Sequence, residues 1–315
     1  MLTDFNHQSL LAAAQALRDG KLVSFPTETV YGLGADATND DAVAAIYKAK
    51  GRPSFNPLIA HVPDFETAQN YADFDDLSTK LAAIFWPGPL TIIRPIKDNS
   101  EISPLVTAGL PTLALRVPAP EKARALLAQT GRPVAAPSAN LSGRISPTKA
   151  VHVAASLDDD CAYILDAGPC QDGLESTIIA PDGNQIVILR PGPVTAEMLK
   201  EAMPDSVIIT QEEANDSTPS SPGQMSSHYA PTKPVRLHAT SRQADEVYIG
   251  FGEYGKTEPL NLSPDGNLIE AASNLFAYLH EADKIKGAVI AVAPLPETGI
   301  GKAITDRLLR AATGK

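Results

Sequence analysis

Cysteines, aromatic side chains and positive charges are all scarce in this 315-residue chain, and each scarcity excludes something. Its two cysteines, Cys161 and Cys170, offer no disulfide framework. Aromatic residues make up 5%, and no apolar run approaches the roughly 20 residues that a membrane span requires. Met1-Leu2-Thr3-Asp4-Phe5 has no basic stretch leading into an apolar block, so no signal peptide is expected and a cytosolic location is. The formal net charge of −11 argues against a surface that holds nucleic acid by general phosphate neutralisation. The six histidines form no HExxH or comparable ligand spacing, and neither a G-x-S-x-G elbow nor a Walker A loop occurs. Gly32-Leu33-Gly34 lacks the third glycine of a dinucleotide fingerprint.

What remains is an ordinary globular composition, 43% hydrophobic and 20% charged, in a chain long enough for two domains. Leu10, Leu11, Ala14 and Leu17 recur at helical spacing before Gly20, which predicts a helix over 7–19. Asn39 and the acidic pair after it cap a second helix running to Lys48. Further helices are expected at 76–85, 120–129 and 147–155. Strands are expected at 22–25, 58–62, 90–94, 112–117, 133–136, 162–165, 176–180 and 185–190. The turn Pro181-Asp182-Gly183 makes the last two a hairpin, so the sheet is mixed and open rather than purely parallel. From Gln211 to Pro222 the chain is polar and without apolar period, which marks a linker. The domains are therefore drawn as 1–208, a linker and possible lid at 209–232, and 233–315. The last is a small open α/β (Rossmann-like) unit with strands at 234–238, 246–251 and 288–293 and helices at 265–281 and 300–312.

Six stretches join polar groups to glycine or proline. Pro26-Thr27-Glu28-Thr29-Val30-Tyr31-Gly32-Leu33-Gly34 follows a strand and gathers three hydroxyls and a carboxylate; such a loop can bind a small polar ligand, but taken alone it reads first as an ordinary Thr-rich turn. Lys48, Lys50 and Arg52 sit at a helix C-terminus, where cations complement the dipole or, gathered by Gly51 and Pro53, grip phosphate oxygens. After the strand at 133–136 come Ser138 and Asn140, placed where a strand end faces a ligand crevice, and Ser146, a candidate N-cap before Pro147. Gly173-Leu174-Glu175-Ser176-Thr177 and Leu189-Arg190-Pro191-Gly192 flank the hairpin, and His228-Tyr229 stands at the end of the linker.

Together these stretches closely resemble the threonylcarbamoyl-AMP synthase (YrdC-like) family in its longer two-domain form, over nearly the whole chain. The matching strings are PTETVYGLG at 26–34, KAKGRP at 48–53, NPLIAH at 56–61, LALRVP at 113–118, APSANLSG at 136–143, ESTI at 175–178, LRPG at 189–192 and SSHYAP at 226–231. The resemblance implies a nucleotidyltransferase that joins L-threonine, bicarbonate or CO2, and ATP, with Mg2+ accompanying ATP, into threonylcarbamoyl-AMP and pyrophosphate. A separate transferase machinery would then carry the group to the adenosine at position 37 of ANN-decoding tRNAs, with weak tRNA contact by this chain and no membrane involvement. It also implies Lys50 and Arg52 as the catalytic pair. Lys48, Ser138, Asn140, Ser146, Arg190 and Tyr229 join them around ATP, while Thr27, Thr29, Tyr31, His61, Arg116, Ser176 and Thr177 serve threonine and its carbamate. In place of the basic residues frequent before the family's His-Tyr pair, this chain has Ser226-Ser227. An RNA-binding module without adenylate synthesis and a carbamoyl-transfer domain are the competing readings.

Overall fold

The computed structural model describes residues 1–210 and 228–313; the polar run at 211–222 and Ser226-Ser227 lie outside the described residues. The strands of the first domain are β1 (Leu2–Asp4), β2 (Val23–Pro26), β3 (Tyr31–Asp36), β4 (Ile59–His61), β5 (Leu90–Pro95), β6 (Thr112–Arg116), β7 (Val134–Ala135), β8 (Tyr163–Asp166), β9 (Thr177–Asp182), β10 (Gln185–Arg190) and β11 (Val207–Thr210). Its helices are α1 (His7–Arg18), α2 (Asp40–Lys50), α3 (Phe65–Ala68), α4 (Asp76–Phe85), α5 (Pro104–Thr107), α6 (Glu121–Thr130), α7 (Ala150–Leu157) and α8 (Ala196–Ala202). The second domain has β12 (Val235–Arg236), β13 (Glu246–Ile249), α9 (Leu268–Lys284), β14 (Val289–Val292) and α10 (Gly301–Ala312). No described helix is long and apolar enough to cross a membrane.

The eleven first-domain strands form one open sheet in the order β1-β8-β2-β3-β7-β4-β6-β5-β9-β10-β11. Parallel pairs such as β4–β6 and β5–β9 alternate with antiparallel ones such as β2–β3 and the expected hairpin β9–β10. The sheet is covered on both faces, as the strand alternation requires. Val23 and Phe25 pack with Leu17, Leu126 and Leu127 of α1 and α6, whereas Tyr31, Leu33 and Ala35 pack with Val43 and Ile46 of α2. The second domain is a parallel three-stranded sheet, β12-β14-β13, whose core takes in Val30, Ile145 and Leu174 from the first.

Two expectations need correction. The stretch at 26–34 is a turn only as far as Val30; from Tyr31 it is strand β3, paired antiparallel with β2 and β7. Its glycines answer to contact rather than turn geometry, since a Cβ at Gly34 would lie 2.9 Å from the Phe25 ring and from Val134. The helix expected from 147 begins at Ala150, with Lys149 at its N-cap position, so Ser146 does no capping. Tertiary bonds hold the approach extended instead. The Pro147 carbonyl accepts the Tyr31 N–H (2.9 Å), and the Ser146 hydroxyl donates to Glu175 (2.5 Å).

Candidate active site

Side chains from seven separate stretches of the first domain, joined by His228 and Tyr229, line one cavity. Thr27, Thr29, Val30 and Gly32 come from the 26–34 stretch, Arg52 from beyond α2, and His61 from the end of β4. Arg116 ends β6, Ser138 follows β7, Glu175 and Ser176 precede β9, and Arg190 ends β10.

Local sequence explains several of these placements. Asn39 accepts the Asp41 and Ala42 N–H groups at the start of α2, and Gly51 closes it in the left-handed conformation at φ 59°. The chain then reverses, so Arg52 turns inward, where it donates to the carbonyls of Pro57 (2.9 Å) and Asn56 (3.3 Å). Lys50, the last residue of α2 and two before Arg52, reaches the carbonyls of Ser138 and Asn140 and fixes the loop that carries them. The carbonyl of Lys50 also accepts the Ser142 N–H at 2.8 Å. Gly192 lets its strand end lie across the 175–177 segment, for a Cβ there would stand 2.5 Å from the Thr177 nitrogen.

The site holds more positive than negative charge, much of it removed from water. Burial lowers the pKa of Arg52 and of Arg190 to about 10. Burial, then Arg52, pushes the Lys50 ammonium well below its ordinary value. Arg190 donates to the Ser176 carbonyl through Nε (3.0 Å) and Nη2 (2.9 Å) and to its hydroxyl (3.0 Å). Arg116 donates to Thr29 Oγ1 at 2.9 Å and lies 2.8 Å from Glu28, a charge contact poorly aligned for a hydrogen bond. Thr29 and Thr27 share a hydroxyl–hydroxyl bond of 2.8 Å. His61 is kept neutral, with burial and then Arg116 pushing its pKa down to about 3. At the cavity, the buried His228 Nδ1 has no hydrogen-bond partner among the described residues, leaving a ring nitrogen for a guest.

Three anticipated residues stand apart from the cavity. Lys48 is exposed on α2 and lines a different depression, with Lys21 and Asp160, so the three cations of the 48–52 stretch do not gather at one point. Tyr31 points to the opposite face of β3, where its hydroxyl donates to the Gly168 carbonyl at 2.7 Å. Thr177 exchanges bonds with the Val194 backbone (2.7 and 3.0 Å) and holds the 192–194 segment in place. Ser146 and Asn140 are buried behind the wall, Ser146 through Glu175 and Asn140 through its amide bonds to the Leu141 and Arg144 carbonyls. Three contributors were not anticipated. Glu28 backs Arg116, Glu175 lines the cavity, and His228 lies in T-shaped contact with Tyr229, whose own backbone is left-handed at φ 64°.

A mixed, open α/β sheet holding a buried, cation-rich cavity with hydroxyls and a neutral imidazole defines a nucleotide-using enzyme of small anionic substrates. A family model described as "Telomere recombination" (Sua5, YciO, YrdC) matches residues 15–192, and one described as "Threonylcarbamoyl-AMP synthase, C-terminal domain" matches 194–313. Threonylcarbamoyl-AMP synthase of Bacillus subtilis (strain 168) is 39% identical, over 98% of this chain and 94% of that one. The Pyrococcus abyssi protein of the same name is 39% identical, over 95% and 93%. The crystal structure of P. abyssi Sua5 complexed with L-threonine superposes with a TM-score of 0.89 at 35% identity, covering 100% of this chain and 97% of that one. The chain belongs to the threonylcarbamoyl-AMP synthase family.

Proposed function

We infer that this protein synthesises L-threonylcarbamoyl-AMP from L-threonine, bicarbonate or CO2, and ATP, releasing pyrophosphate. The observation that carries the reading is the convergence of Arg52, Arg116 and Arg190 from three different elements on one cavity that also presents Thr29, His61 and Ser176. Phosphate oxygens and a carboxylate are the natural guests of such a set.

The reaction needs no protein nucleophile. The threonine amino group, after losing a proton, forms an N–C bond to CO2. A carbamate oxygen then attacks the α-phosphorus of ATP, and the bond to the β-phosphate oxygen breaks. Negative charge spreads over the phosphoryl oxygens, so the protein's part is positioning and electrostatic stabilisation. Arg52 and Arg190, with Lys50 behind the Ser138–Asn140 loop, face the phosphates in this reading, and Arg116 with Thr29 and His61 holds threonine. Neutral His61 and Thr29 accept or donate without adding charge beside Arg116. Burial of the site limits hydrolysis of the carbamate.

Among the described residues no group of three or more His, Cys, Asp or Glu side chains is placed to hold a metal ion. Both oxygens of Glu175 are already engaged, by Ser146 and Arg307. Mg2+ would therefore enter with the nucleotide, held by its phosphates, and would neutralise charge on the leaving pyrophosphate. Bicarbonate as the carbon source, a cytosolic setting and delivery of the group to tRNA by a separate transferase belong to the same proposal.

Pyrophosphate release from ATP, measured with and without threonine and bicarbonate, tests it. Release requiring both supports the reading, and release indifferent to threonine sinks it. Arg52→Ala should lower turnover by about 10²–10³-fold, the usual effect of removing one transition-state donor, and Lys50→Ala should lower it by releasing the Ser138–Asn140 loop that Lys50 holds.

A further inference from the structure

The reaction just described uses first-domain residues and Tyr229, and leaves the second domain without a task. One side chain of that domain nevertheless reaches the cavity wall. Arg307, on α10, is fully buried, and its Nε donates to Oε2 of Glu175 at 2.9 Å across 132 residues of sequence. Its Nη2 donates to the Pro191 carbonyl (2.9 Å), its Nη1 to Asp306 (2.5 Å), and its guanidinium lies 5.3 Å from the centre of the Tyr229 ring. Asp306 is held in turn by Arg310 at 2.9 Å. The other oxygen of Glu175 accepts the Ser146 hydroxyl, while His280 of α9 contacts the Ser146 carbonyl at 3.2 Å. One helix of the second domain thus holds Glu175 directly, and another contacts Ser146, its partner.

Glu175 is the only carboxylate among the described residues lining the cavity. A carboxylate beside a triphosphate is adverse, because like charges a few ångströms apart in a poorly solvated site repel strongly. We propose that Arg307 is a positioning residue for the nucleotide half of the site: by fixing and neutralising Glu175 it lets ATP bind well only when the last helix is docked. The coupling is reciprocal by linkage, so ATP also favours the docked helix. This inference rests on the ATP reading of the cavity and gives the second domain a part in it.

The groups facing Glu175 are Arg307 from α10, itself paired with Asp306, Arg190 from β10, Ser146, Tyr229 and, further off, Lys50. Burial works against its charge, but Arg307, then Arg190 and the Ser146 hydroxyl, outweigh burial and hold the carboxyl below its ordinary value. Removing Arg307 deletes the largest of these opposing effects, so Glu175 becomes able to take up a proton at higher pH.

The test is titration calorimetry of ATP into the full-length chain. The parent should bind ATP with little change between pH 8 and 6. Arg307→Met should weaken binding at pH 8 on the order of ten- to a hundredfold, the common size of a site-to-site coupling, with threonine affinity moved less than about threefold. Its ATP affinity should rise as the pH falls to 6, because protonated Glu175 no longer repels phosphate; a purely structural role would not yield that trend. Arg307→Lys should keep most of the affinity. Should Arg307→Met fail to fold, the Glu175→Gln/Arg307→Met double variant, which buries no unpaired charge, supplies the measurement and should bind ATP within about tenfold of the parent. A parent that does not bind ATP would defeat the functional reading itself. A parent that binds, with a folded Arg307→Met equally tight and equally flat in pH, would overturn this inference alone, as would a folded double variant that has lost ATP binding.

Discussion

Arg116 and Glu28 form an ion pair with side chains only 4% and 5% exposed, so replacing Arg116 with Met strands a carboxylate in the interior. Breaking one side of a buried pair costs about 3–5 kcal/mol, far more than the pair contributes relative to two apolar residues. At roughly 2–4 °C per kcal/mol for chains of this order of size, the first thermal transition should fall by roughly 6–20 °C. Replacing Glu28 with Gln in the same chain removes the stranded charge and should restore at least about 2 kcal/mol, read as a coupling energy in a urea double-mutant cycle at pH 7. Threonine-dependent pyrophosphate release should behave differently. Arg116 also donates to Thr29 Oγ1 and, through Nε at 3.3 Å, to the Gly88 carbonyl, and the double variant replaces neither bond. Stability should therefore recover while the elevated KM for threonine does not. Single variants within about 1 kcal/mol of the parent, or a double variant whose loss equals the sum of the singles, would refute the argument that this charge pair organises the 27–29 turn.

Lys48→Ala should leave the KM for ATP within about twofold, because Lys48 is exposed on the far side of α2, and Tyr31→Phe should cost about 1 kcal/mol of stability with the KM for threonine unchanged. Acid should destabilise the fold through its buried neutral histidines. Burial holds His61 and His152 at about 3 and His280 at about 4, and lowers His228 well below its ordinary value, whereas the unfolded chain takes up these protons near pH 6.5. Their stabilisation is thus complete above the unfolded pKa and is lost as the pH falls toward the folded values, at roughly 1.4 kcal/mol per pH unit for each histidine. Urea unfolding at pH 7, 6 and 5 should follow that slope. His152→Gln combined with His280→Gln should flatten it by about two protons' worth, and a profile already flat in the parent would contradict the assignment.

The regular elements were largely readable because their signals are local. The cap at Asn39, the apolar period of α1 and α4, and the turn at Pro181-Asp182-Gly183 each lie within a few residues of what they determine. Strand β3 was missed although its alternation is present: Tyr31, Leu33 and Ala35 face one way, while Gly32, Gly34 and Asp36 lie between them. Glycines at every second position look like a turn until the partner strand is known, and here it is the ring of Phe25 that leaves no room for a side chain. The start of α7 was misplaced for a related reason. Pro147 is well formed to begin a helix, but its carbonyl and the Ser146 hydroxyl serve partners 116 and 29 residues away, and those bonds hold the backbone extended.

The same distinction runs through the site. Thr27, Thr29, Arg52, His61, Arg116, Ser138, Ser176, Arg190 and Tyr229, all found by motif, are the groups the structure brings to one cavity. Tyr31, Lys48 and Thr177 share the motifs but not the cavity, because alternation along a strand and rotation around a helix send neighbouring residues in opposite directions. Glu28 and Glu175 stand in stretches the sequence singles out and Arg307 in a predicted helix, but nothing local shows what each is paired with. Their roles exist only as charge pairs spanning 88 and 132 residues. A cavity built from arginines removed from water must balance its own charge while empty, and the carboxylates that do so are chosen by proximity in the fold, not in the chain. That requirement is why part of the balancing set could come from a second domain, and why the last helix, expected at 300–312 but given no part in the site, ends up holding the wall of the first domain's site.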